Sequence, residues 1–367
     1  EVIDCLKSGW LSTGPRTHKF EDMFKGYIGC KHSLALNSCT AGMHLSLIVS
    51  GVKKGDEVIT SPLTFSATGN TIIHAGAKPV FVDVEKDTMN INPDLIESKI
   101  TNKTRAIIPV HIAGRPCNMN KINVIAKKHD LTVIEDAAHA IEASYKGKKV
   151  GNISPLTCFS FYVTKNIVTG EGGMVTTNND EFAEKIEIYR LHGMSKGAWS
   201  RYSDEGFKHY QIIYPGYKYN MMDLQAAIGI HQLPRIDKYL KIRESIWKRY
   251  DKAFKGLPVL TPKPAEENTV HARHLYTLLL DIKKLSVTRD EVQEALYKEG
   301  IGTGIHFISL HLHKYYKEMF GFEPEDFPNA KFISERTISL PLSAGLTDKD
   351  VDDVIAAVRK VVLHYVN

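Results

Sequence analysis

Short apolar runs alternate with longer amphipathic stretches over the first two thirds of the chain. The runs have the length and composition of buried strands, and we predict strands at residues 57–60, 79–82, 106–110, 131–135 and 158–162. Because helices that connect such strands place them in parallel and cover the sheet, this order predicts an α/β fold with a mostly parallel central sheet between helices. A helix-compatible stretch at 222–254 leads out of this large domain.

The last third of the chain has a different pattern. Strands are predicted at 274–280 and 337–341, and helices at 288–299 and 348–364, with Thr288 as the N-cap of the first helix. Gly256 and Pro258 interrupt the pattern just before these elements. We therefore predict a large domain over residues 1–250 and a smaller C-terminal α+β domain over residues 251–367.

Composition and charge limit the kinds of partner and the cellular compartment that are expected for this chain. The chain has 367 residues, 43% of them hydrophobic, and a mild net charge of +5, without a dense Lys/Arg stripe or an apolar run that could span a bilayer. Neither nucleic acid nor membrane is therefore expected as a partner. Scattered cysteines without a Cys-x-x-Cys pair favour a reducing cytoplasm over a disulfide framework; they are Cys5, Cys30, Cys39, Cys117 and Cys158.

One lysine has the setting of a reactive amine. Lys165 lies between an aromatic strand-like run at 159–162 and a glycine-rich turn at 170–173. Burial disfavours the ammonium form, and a neutral amine is able to form a Schiff base. The glycines allow the backbone to pack close to a flat ligand. The alternative is a surface lysine beside a hairpin.

A second candidate follows the predicted strand 131–135, which ends in an acid, two small residues and a histidine, His139. Open α/β sheets bind ligands at the carboxyl ends of their strands. Asp136 could there pair with a protonated ring nitrogen of a cofactor, with the small Ala138 against the ring. The alternative for Asp136 is the N-cap of the following segment.

A third candidate is an anion site at residues 34–45, which read as strand, polar turn and helix. Free N–H groups at a helix start bind anions, and Ser38, Thr40 and Ser160 could add hydroxyl donors. Cys39 in this turn is either an acidified thiol or a small buried filler. Phe65, after the strand 57–60, could stack on a ring; the alternative is a core aromatic.

These blocks together resemble a known family, the PLP-dependent sugar aminotransferases of the DegT/DnrJ/StrS group, in the fold type I (aspartate aminotransferase-like) superfamily. The resemblance covers nearly the whole chain, and its blocks occur in the family's order. They are residues 10–15, 37–41, 135–140, Ser160 with Lys165, 170–173, 216–221 and 302–307. The resemblance implies that the large domain binds pyridoxal 5'-phosphate (PLP).

The resemblance also implies roles for single residues. Lys165 would hold PLP and move protons between cofactor and sugar carbons, and Asp136 would pair with the pyridinium nitrogen. The other cofactor contacts implied are the phosphate ligands Thr40, Ala41 and Ser160, and Phe65 and Ala138 on opposite faces of the ring.

Two histidines point to a substrate class. His139, also placed among the catalytic residues, and His306 resemble substrate-facing groups in the branch that makes UDP-4-amino-4-deoxy-L-arabinose and related 4-amino sugars. Tyr162 differs from that branch, which often has histidine there. Further substrate residues are predicted at Ser12, Thr13, Gly14 and Tyr315, and the polar segment 192–201 is predicted as a flap near the sugar.

The family's Gly-Tyr block reaches the phosphate site of a partner subunit through an asparagine or a neighbouring polar residue. Here Lys218 stands at the usual asparagine position and an asparagine follows at Asn220, so both residues are candidates. This implies a homodimer with shared active sites.

The predicted activity is transfer of an amino group from glutamate to a UDP-linked 4-keto sugar, for surface polysaccharide or lipopolysaccharide biosynthesis. Alternatives are amination at C3, a dehydratase of the same fold, in which histidine replaces the lysine, and a catalytically silent PLP-binding regulator. No metal is predicted: His311 and His313 share a face of an extended segment but lack a third ligand nearby.

Overall fold

The computed structural model describes residues 1–195 and 210–367. Its strands are, in chain order, β1 (His32–Leu36), β2 (Glu57–Thr60), β3 (Lys78–Phe81), β4 (Thr104–Ile108), β5 (Thr132–Asp136), β6 (Ser144–Tyr145), β7 (Lys148–Lys149), β8 (Leu156–Ser160), β9 (Gly173–Thr177), β10 (Val259–Leu260), β11 (Tyr276–Leu280) and β12 (Thr337–Leu340).

The helices are, in the same order, α1 (Val2–Ser8), α2 (Pro15–Ile28), α3 (Cys39–Val49), α4 (Ser66–His74), α5 (Met119–Lys128), α6 (Asp180–Tyr189), α7 (Asp223–Gln232), α8 (Ile236–Ala253), α9 (Arg289–Lys298), α10 (Lys314–Phe320), α11 (Pro328–Ser334) and α12 (Asp348–His364).

Within the described residues, seven strands form the central sheet, in the order β1-β9-β8-β5-β4-β2-β3. The strands β8, β5, β4, β2 and β3 pair in parallel, and β9 runs antiparallel to both of its neighbours. The sheet is therefore mostly parallel and the fold is an α/β fold, as predicted.

Alternating side chains of one strand bury both faces of this sheet. In β8, Cys158 packs into a core with Leu45 of α3, whereas Phe159 packs on the opposite face against Phe24 of α2, with a ring-centroid distance of 5.2 Å. Successive side chains of a strand point to opposite faces, so a strand buried on both sides is apolar throughout. This is why the central strands appear in the sequence as short continuous apolar runs.

A separate core surrounds the antiparallel sheet β10-β11-β12. Side chains of α8, α9 and α12 cover it, among them Trp247, Leu296 and Val358. The helix α9 begins at Thr288, whose hydroxyl accepts the N–H of Glu291 while the Glu291 carboxylate accepts the N–H of Thr288. The predicted N-cap is thus confirmed. The domain division at residue 250 stays a prediction.

Most predicted bounds differ from the observed ones by one or two residues, and two differences have a clear cause. The strand predicted at 158–162 is β8, which begins at Leu156 and ends at Ser160, because the turn closed by the Lys165 N–H and the Tyr162 carbonyl, at 2.8 Å, takes the chain out of the sheet. The helix predicted at 222–254 is two helices, α7 and α8, separated by a 3₁₀ turn that contains Pro234. Proline lacks the N–H that a continuous helix would need there.

The two histidines considered as metal ligands lie apart. A 3₁₀ turn at Leu310–Leu312 replaces the predicted extended segment, so that His311 is buried while His313 is exposed. The His311 ring packs against the Phe327 ring, with centroids 4.9 Å apart, and within the described residues neither of its nitrogens has a hydrogen-bond partner. In the ranges 1–195 and 210–367, no group of three or more His, Cys, Asp or Glu side chains is arranged to bind a metal.

We expect His311 to make the fold sensitive to acid. Burial lowers the pKa of His311 to about 4, whereas an unfolded histidine titrates near about 6.5. The neutral His311 ring therefore contributes fully to stability above the pKa of the unfolded histidine. This contribution is lost as the pH falls toward the lower pKa that His311 has in the folded protein. Urea unfolding of His311→Leu between these values should show a slope of unfolding free energy against pH lower by up to about 1.4 kcal/mol per pH unit. The exposed-site variant His313→Leu should keep the wild-type slope, and an unchanged slope in His311→Leu would contradict the prediction.

Candidate active site

A cavity of about 520 Å³ opens at the carboxyl ends of the central strands. Its wall is formed by the ends of β5 and β8, the starts of α3 and α4, the turn after β8 and the segment 305–307. The cavity brings together eight residues predicted from the sequence: Thr40, Phe65, Asp136, Ala138, His139, Ser160, Lys165 and His306.

Asp136 is the last residue of β5 and is held in a fixed orientation. Its Oδ2 accepts the Thr68 hydroxyl at 2.8 Å, and its Oδ1 accepts the Ala138 N–H at 3.1 Å. It is a strand residue, so the N-cap alternative is wrong. Burial raises the pKa of Asp136, although these hydrogen bonds and Lys165 lower it, and a cation that binds beside it would stabilise its carboxylate.

Lys165 lies on the turn that follows β8. Its backbone N–H donates to the Tyr162 carbonyl at 2.8 Å, and its half-buried side chain lines the cavity. Burial lowers the pKa of Lys165, although Asp136 raises it. The amine is therefore closer to its neutral, nucleophilic form than a surface lysine, which excludes the surface-lysine alternative.

The start of α3 forms the anion-binding end of the cavity. Ser38 caps this helix by accepting the Ala41 N–H at 3.1 Å, which leaves the first-turn amides of Cys39 and Thr40 at the wall. A Cβ on Gly173 of the neighbouring β9 would lie 2.4 Å from the carbonyl carbon of Ser38, so only glycine allows this approach. Burial raises the pKa of Cys39 well above the usual range, which makes it the buried filler and not an acidified thiol.

Two residues border the middle of the cavity. Phe65 precedes α4 and is 61% exposed, with its ring centroid 6.2 Å from that of Phe307. It is therefore not a core aromatic. Ala138 lies on the cavity wall two residues after Asp136, and its single methyl group takes up little of the cavity.

His139 and His306 line the cavity, and His274 packs against His139. Burial lowers the pKa of His139, of His274 and, to about 4, of His306. The His139 ring packs against the His274 ring, with centroids 4.4 Å apart and the planes tilted by 33°, and among the described residues the Nδ1 of His139 has no hydrogen-bond partner. His306 Nδ1 lies 2.8 Å from the Ser339 hydroxyl. The three rings are therefore neutral at physiological pH and present hydrogen-bonding groups without charge.

The predicted N-terminal substrate residues are not brought to this cavity. The Thr13 hydroxyl donates to the Met221 carbonyl and accepts from Asn220 Nδ2, at 2.5 and 2.7 Å, and the Gly14 N–H donates to Asp223 at 2.8 Å. These bonds join the segment to the start of α7 in the same subunit. Roles of Ser12, Thr13 and Gly14 toward substrate stay predictions.

Four further predicted residues lie outside the cavity lining. Ala41 donates its N–H to the helix cap, and Asn220 is buried beside Thr13. Lys218 is exposed. Tyr315 lines a neighbouring cavity with Asn70 and His313, among other residues. Of the predicted flap at 192–201, residues 196–201 lie outside the described residues.

The comparisons with known proteins agree with this geometry. The profile of the DegT/DnrJ/EryC1/StrS aminotransferase family matches residues 1–359. The chain belongs to this family. It is 57% identical over 362 residues to the uncharacterized protein MJ1066 of Methanocaldococcus jannaschii and 52% identical over 363 residues to the spore coat polysaccharide biosynthesis protein SpsC of Bacillus subtilis. Each match covers 99% of this chain, and 94% and 93% of the relatives.

A solved structure gives the same result. The putative sugar aminotransferase Spr1654 of Streptococcus pneumoniae, in its PMP form, superimposes with a TM-score of 0.93 at 35% identity, over 99% of this chain and 96% of the other. The same protein also exists in a PLP form. This chain is accordingly a PLP-dependent sugar aminotransferase of the α/β type I fold.

The cavity of this aminotransferase fits PLP. A helix start with free amides, a buried carboxylate that a cation would stabilise and an amine of lowered pKa match the phosphate, the pyridine nitrogen and the aldehyde of this cofactor. Thr40 and Ser160 would contact the phosphate, Asp136 the ring nitrogen and Lys165 the aldehyde carbon. The sequence reasoning missed Thr68, which orients Asp136; its only signal is a threonine one turn into the helix after Phe65.

Proposed function

We propose that this aminotransferase moves the amino group of glutamate to a UDP-linked 4-keto sugar and forms a 4-amino sugar for a surface polysaccharide. The observation that carries the proposal is one cavity that combines Lys165 and Asp136 with the neutral rings of His139 and His306. The relative SpsC is named for spore coat polysaccharide biosynthesis. That name supports an amino sugar for a surface polysaccharide as the product.

The chain's own residues divide the chemistry. When bound, PLP supplies an electron sink that stabilises negative charge on the carbon next to the transferred nitrogen. The Asp136 carboxylate keeps a proton on the ring nitrogen, and the start of α3 holds the phosphate. The Lys165 amine takes a proton from one carbon and returns it to another, which its lowered pKa allows near neutral pH.

The neutral histidines suit an uncharged sugar ring. A keto sugar offers hydroxyl groups and a carbonyl, and a neutral imidazole can both donate and accept a hydrogen bond. His139 has a buried Nδ1 without a partner among the described residues, and such a group gains when a ligand supplies one. A cation at this place would also compete with Lys165 for the charge of Asp136.

An absorbance experiment tests the proposal. Glutamate should bleach the visible band of the cofactor-loaded protein, and each of a panel of UDP- and dTDP-linked 3-keto and 4-keto sugars is then added. Recovery of the band with a UDP-linked 4-keto sugar is expected. Recovery with a 3-keto sugar alone would replace the proposal by amination at C3. Absence of bleaching would indicate a catalytically silent PLP-binding regulator, since the presence of Lys165 argues against the dehydratase.

We also propose a homodimer in which Lys218 reaches the partner's phosphate site. Lys218 is exposed, whereas Asn220 is buried and donates to Thr13 within its own subunit. Exposed apolar side chains near the N-terminus, including Ile3 and Leu6, give a second copy an apolar surface to cover. A dilution series in which a monomer keeps full activity would contradict this arrangement.

A further inference from the structure

The residue that follows Lys165 joins three separate segments of the chain. Asn166 donates through Nδ2 to the Glu142 carboxylate at 2.8 Å and to the Ala272 carbonyl at 3.3 Å. Its Oδ1 lies 2.9 Å from His274 Nδ1. Glu142 lies beyond the end of β5, whereas Ala272 and His274 lie on the connection that enters β11. The position of the Lys165 turn therefore depends on one segment that precedes it and one that follows it, each more than twenty residues away in sequence.

This pattern fixes the proton on the His274 ring. Because Glu142 and Ala272 offer only acceptors, the Asn166 amide nitrogen faces them and its oxygen faces His274. An oxygen without hydrogens accepts only, so His274 Nδ1 must be the protonated nitrogen. His274 is thus a donor to Asn166, and its ring packs at a tilt of 33° against the His139 ring, with centroids 4.4 Å apart.

Further contacts hold Glu142 and His274, the two side chains that Asn166 joins. Glu142 is paired with the Arg243 guanidinium of α8, whose Nε donates to the Arg273 carbonyl at 3.1 Å. The backbone N–H of His274 donates to the backbone carbonyl of Ala113, in the turn after β4, at 3.0 Å. The charged pair Glu142–Arg243 and the neutral pair Asn166–His274 both have their hydrogen-bond partners. These four side chains therefore have one low-energy arrangement.

A glycine allows this close packing. Gly114 adopts a φ of +94°, and a Cβ there would lie 2.7 Å from the His139 carbonyl oxygen and 2.9 Å from the Ala272 Cβ. The Ala272 N–H donates to the Gly114 carbonyl at 2.9 Å. The connection that carries His274 is therefore pressed directly against the segment that carries His139.

We propose that His274 and Asn166 are positioning residues for the amino transfer. Through its Nδ1 proton, His274 fixes the Asn166 amide and with it the backbone turn that places the Lys165 amine. Through the packing of its ring it also orients the His139 ring toward the substrate. The proposal rests on Lys165 as the reacting amine, but not on the identity of the sugar. It is therefore tested with glutamate alone.

The test compares two replacements of His274 in the cofactor-loaded full chain. In His274→Asn the side-chain amide nitrogen takes the place of Nδ1, whereas in His274→Gln it takes the place of Nε2. Because only the first keeps the donor to Asn166, we expect His274→Asn to retain the rate of the glutamate half-reaction within about threefold and His274→Gln to lose about 10–100-fold. Asn166→Ala should match His274→Gln.

A spectroscopic measurement separates positioning from stability. The pH at which the visible band of the bound cofactor changes reports the setting of Lys165, and it should shift in His274→Gln and Asn166→Ala but not in His274→Asn. The control is His271→Asn, a buried histidine on the same connection whose Nδ1 accepts the Arg273 N–H at 2.9 Å without contact to Asn166. It should keep the wild-type spectrum and half-reaction.

Two kinds of result would overturn the proposal. Equal losses in His274→Asn and His274→Gln would show that the Nδ1 donor does not carry the effect, and a loss in His274→Asn alone would place the function of His274 at Nε2. Suppose that Asn166→Ala keeps the wild-type rate and the wild-type pH midpoint of the visible band, and that only its urea midpoint is lower. The contacts of Asn166 and His274 would then have a structural role only. Should His274→Gln fail to fold, Asn166→Ala decides in the same way. Absence of any glutamate-dependent bleaching in the wild-type protein would contradict the activity itself and not this inference.

Discussion

Replacement of Lys165 by alanine should lower the rate of the glutamate half-reaction by about 10²–10⁴-fold, the contribution of a positioned acid–base group. The expected loss follows from geometry, since Lys165 is the lysine that lines the cavity beside Asp136. The cofactor should still bind, because the start of α3 and Asp136 are unchanged. Single-turnover absorbance after addition of glutamate measures the rate, and equilibrium dialysis measures cofactor binding.

The control for this prediction is Lys127→Ala on the exposed surface of α5, which should react at the wild-type rate. A small amine added to Lys165→Ala should restore part of the rate, because it replaces the missing base without restoring the side chain. Full activity in Lys165→Ala would assign the proton transfers to another group, and His139 would then be the nearest candidate by its place in the cavity.

Much of the fold could be predicted because the central strands are buried on both faces. The strand predicted at 57–60 has the observed bounds, and α12 begins and ends where its amphipathic pattern does. The errors occur where the apolar pattern does not report a turn. The apolar run continues through Phe161, but β8 ends at Ser160 because the chain turns away from the sheet between Tyr162 and Lys165.

The site divides in a similar way. Lys165, Asp136 and the start of α3 lie at strand ends or helix starts, and each has a local signature in the sequence. Asn166 and His274 have none, because their contact joins positions 108 residues apart and exists only in the folded chain. The buried location of Asn220 is a further tertiary effect, since it depends on Thr13, 207 residues away.

Replacement of Asp136 by asparagine should separate activity from stability. The amide has almost the same shape: its oxygen can accept the Ala138 N–H, and its nitrogen can donate to the Thr68 hydroxyl, which can in turn donate to Thr64, so the fold is kept. However, the charge that stabilises a protonated ring nitrogen is lost. Removal of one partner of a buried charge pair costs about 3–5 kcal/mol, which corresponds to a loss of about 10²–10⁴-fold in the glutamate half-reaction.

The stability of the same variant should change in the opposite direction. Burial raises the pKa of Asp136, so the folded protein without cofactor holds a carboxylate in an unfavourable place. Asp136→Asn removes that penalty and should have an unfolding free energy at pH 7 equal to or above that of the wild type, measured with urea on cofactor-free protein. Thr68→Val, which removes the 2.8 Å hydrogen bonds of this hydroxyl to Asp136 and to Thr64, should lose about 10–100-fold in rate and should not gain stability. A variant Asp136→Asn that is less stable yet fully active would show that this carboxylate serves the fold and not the cofactor.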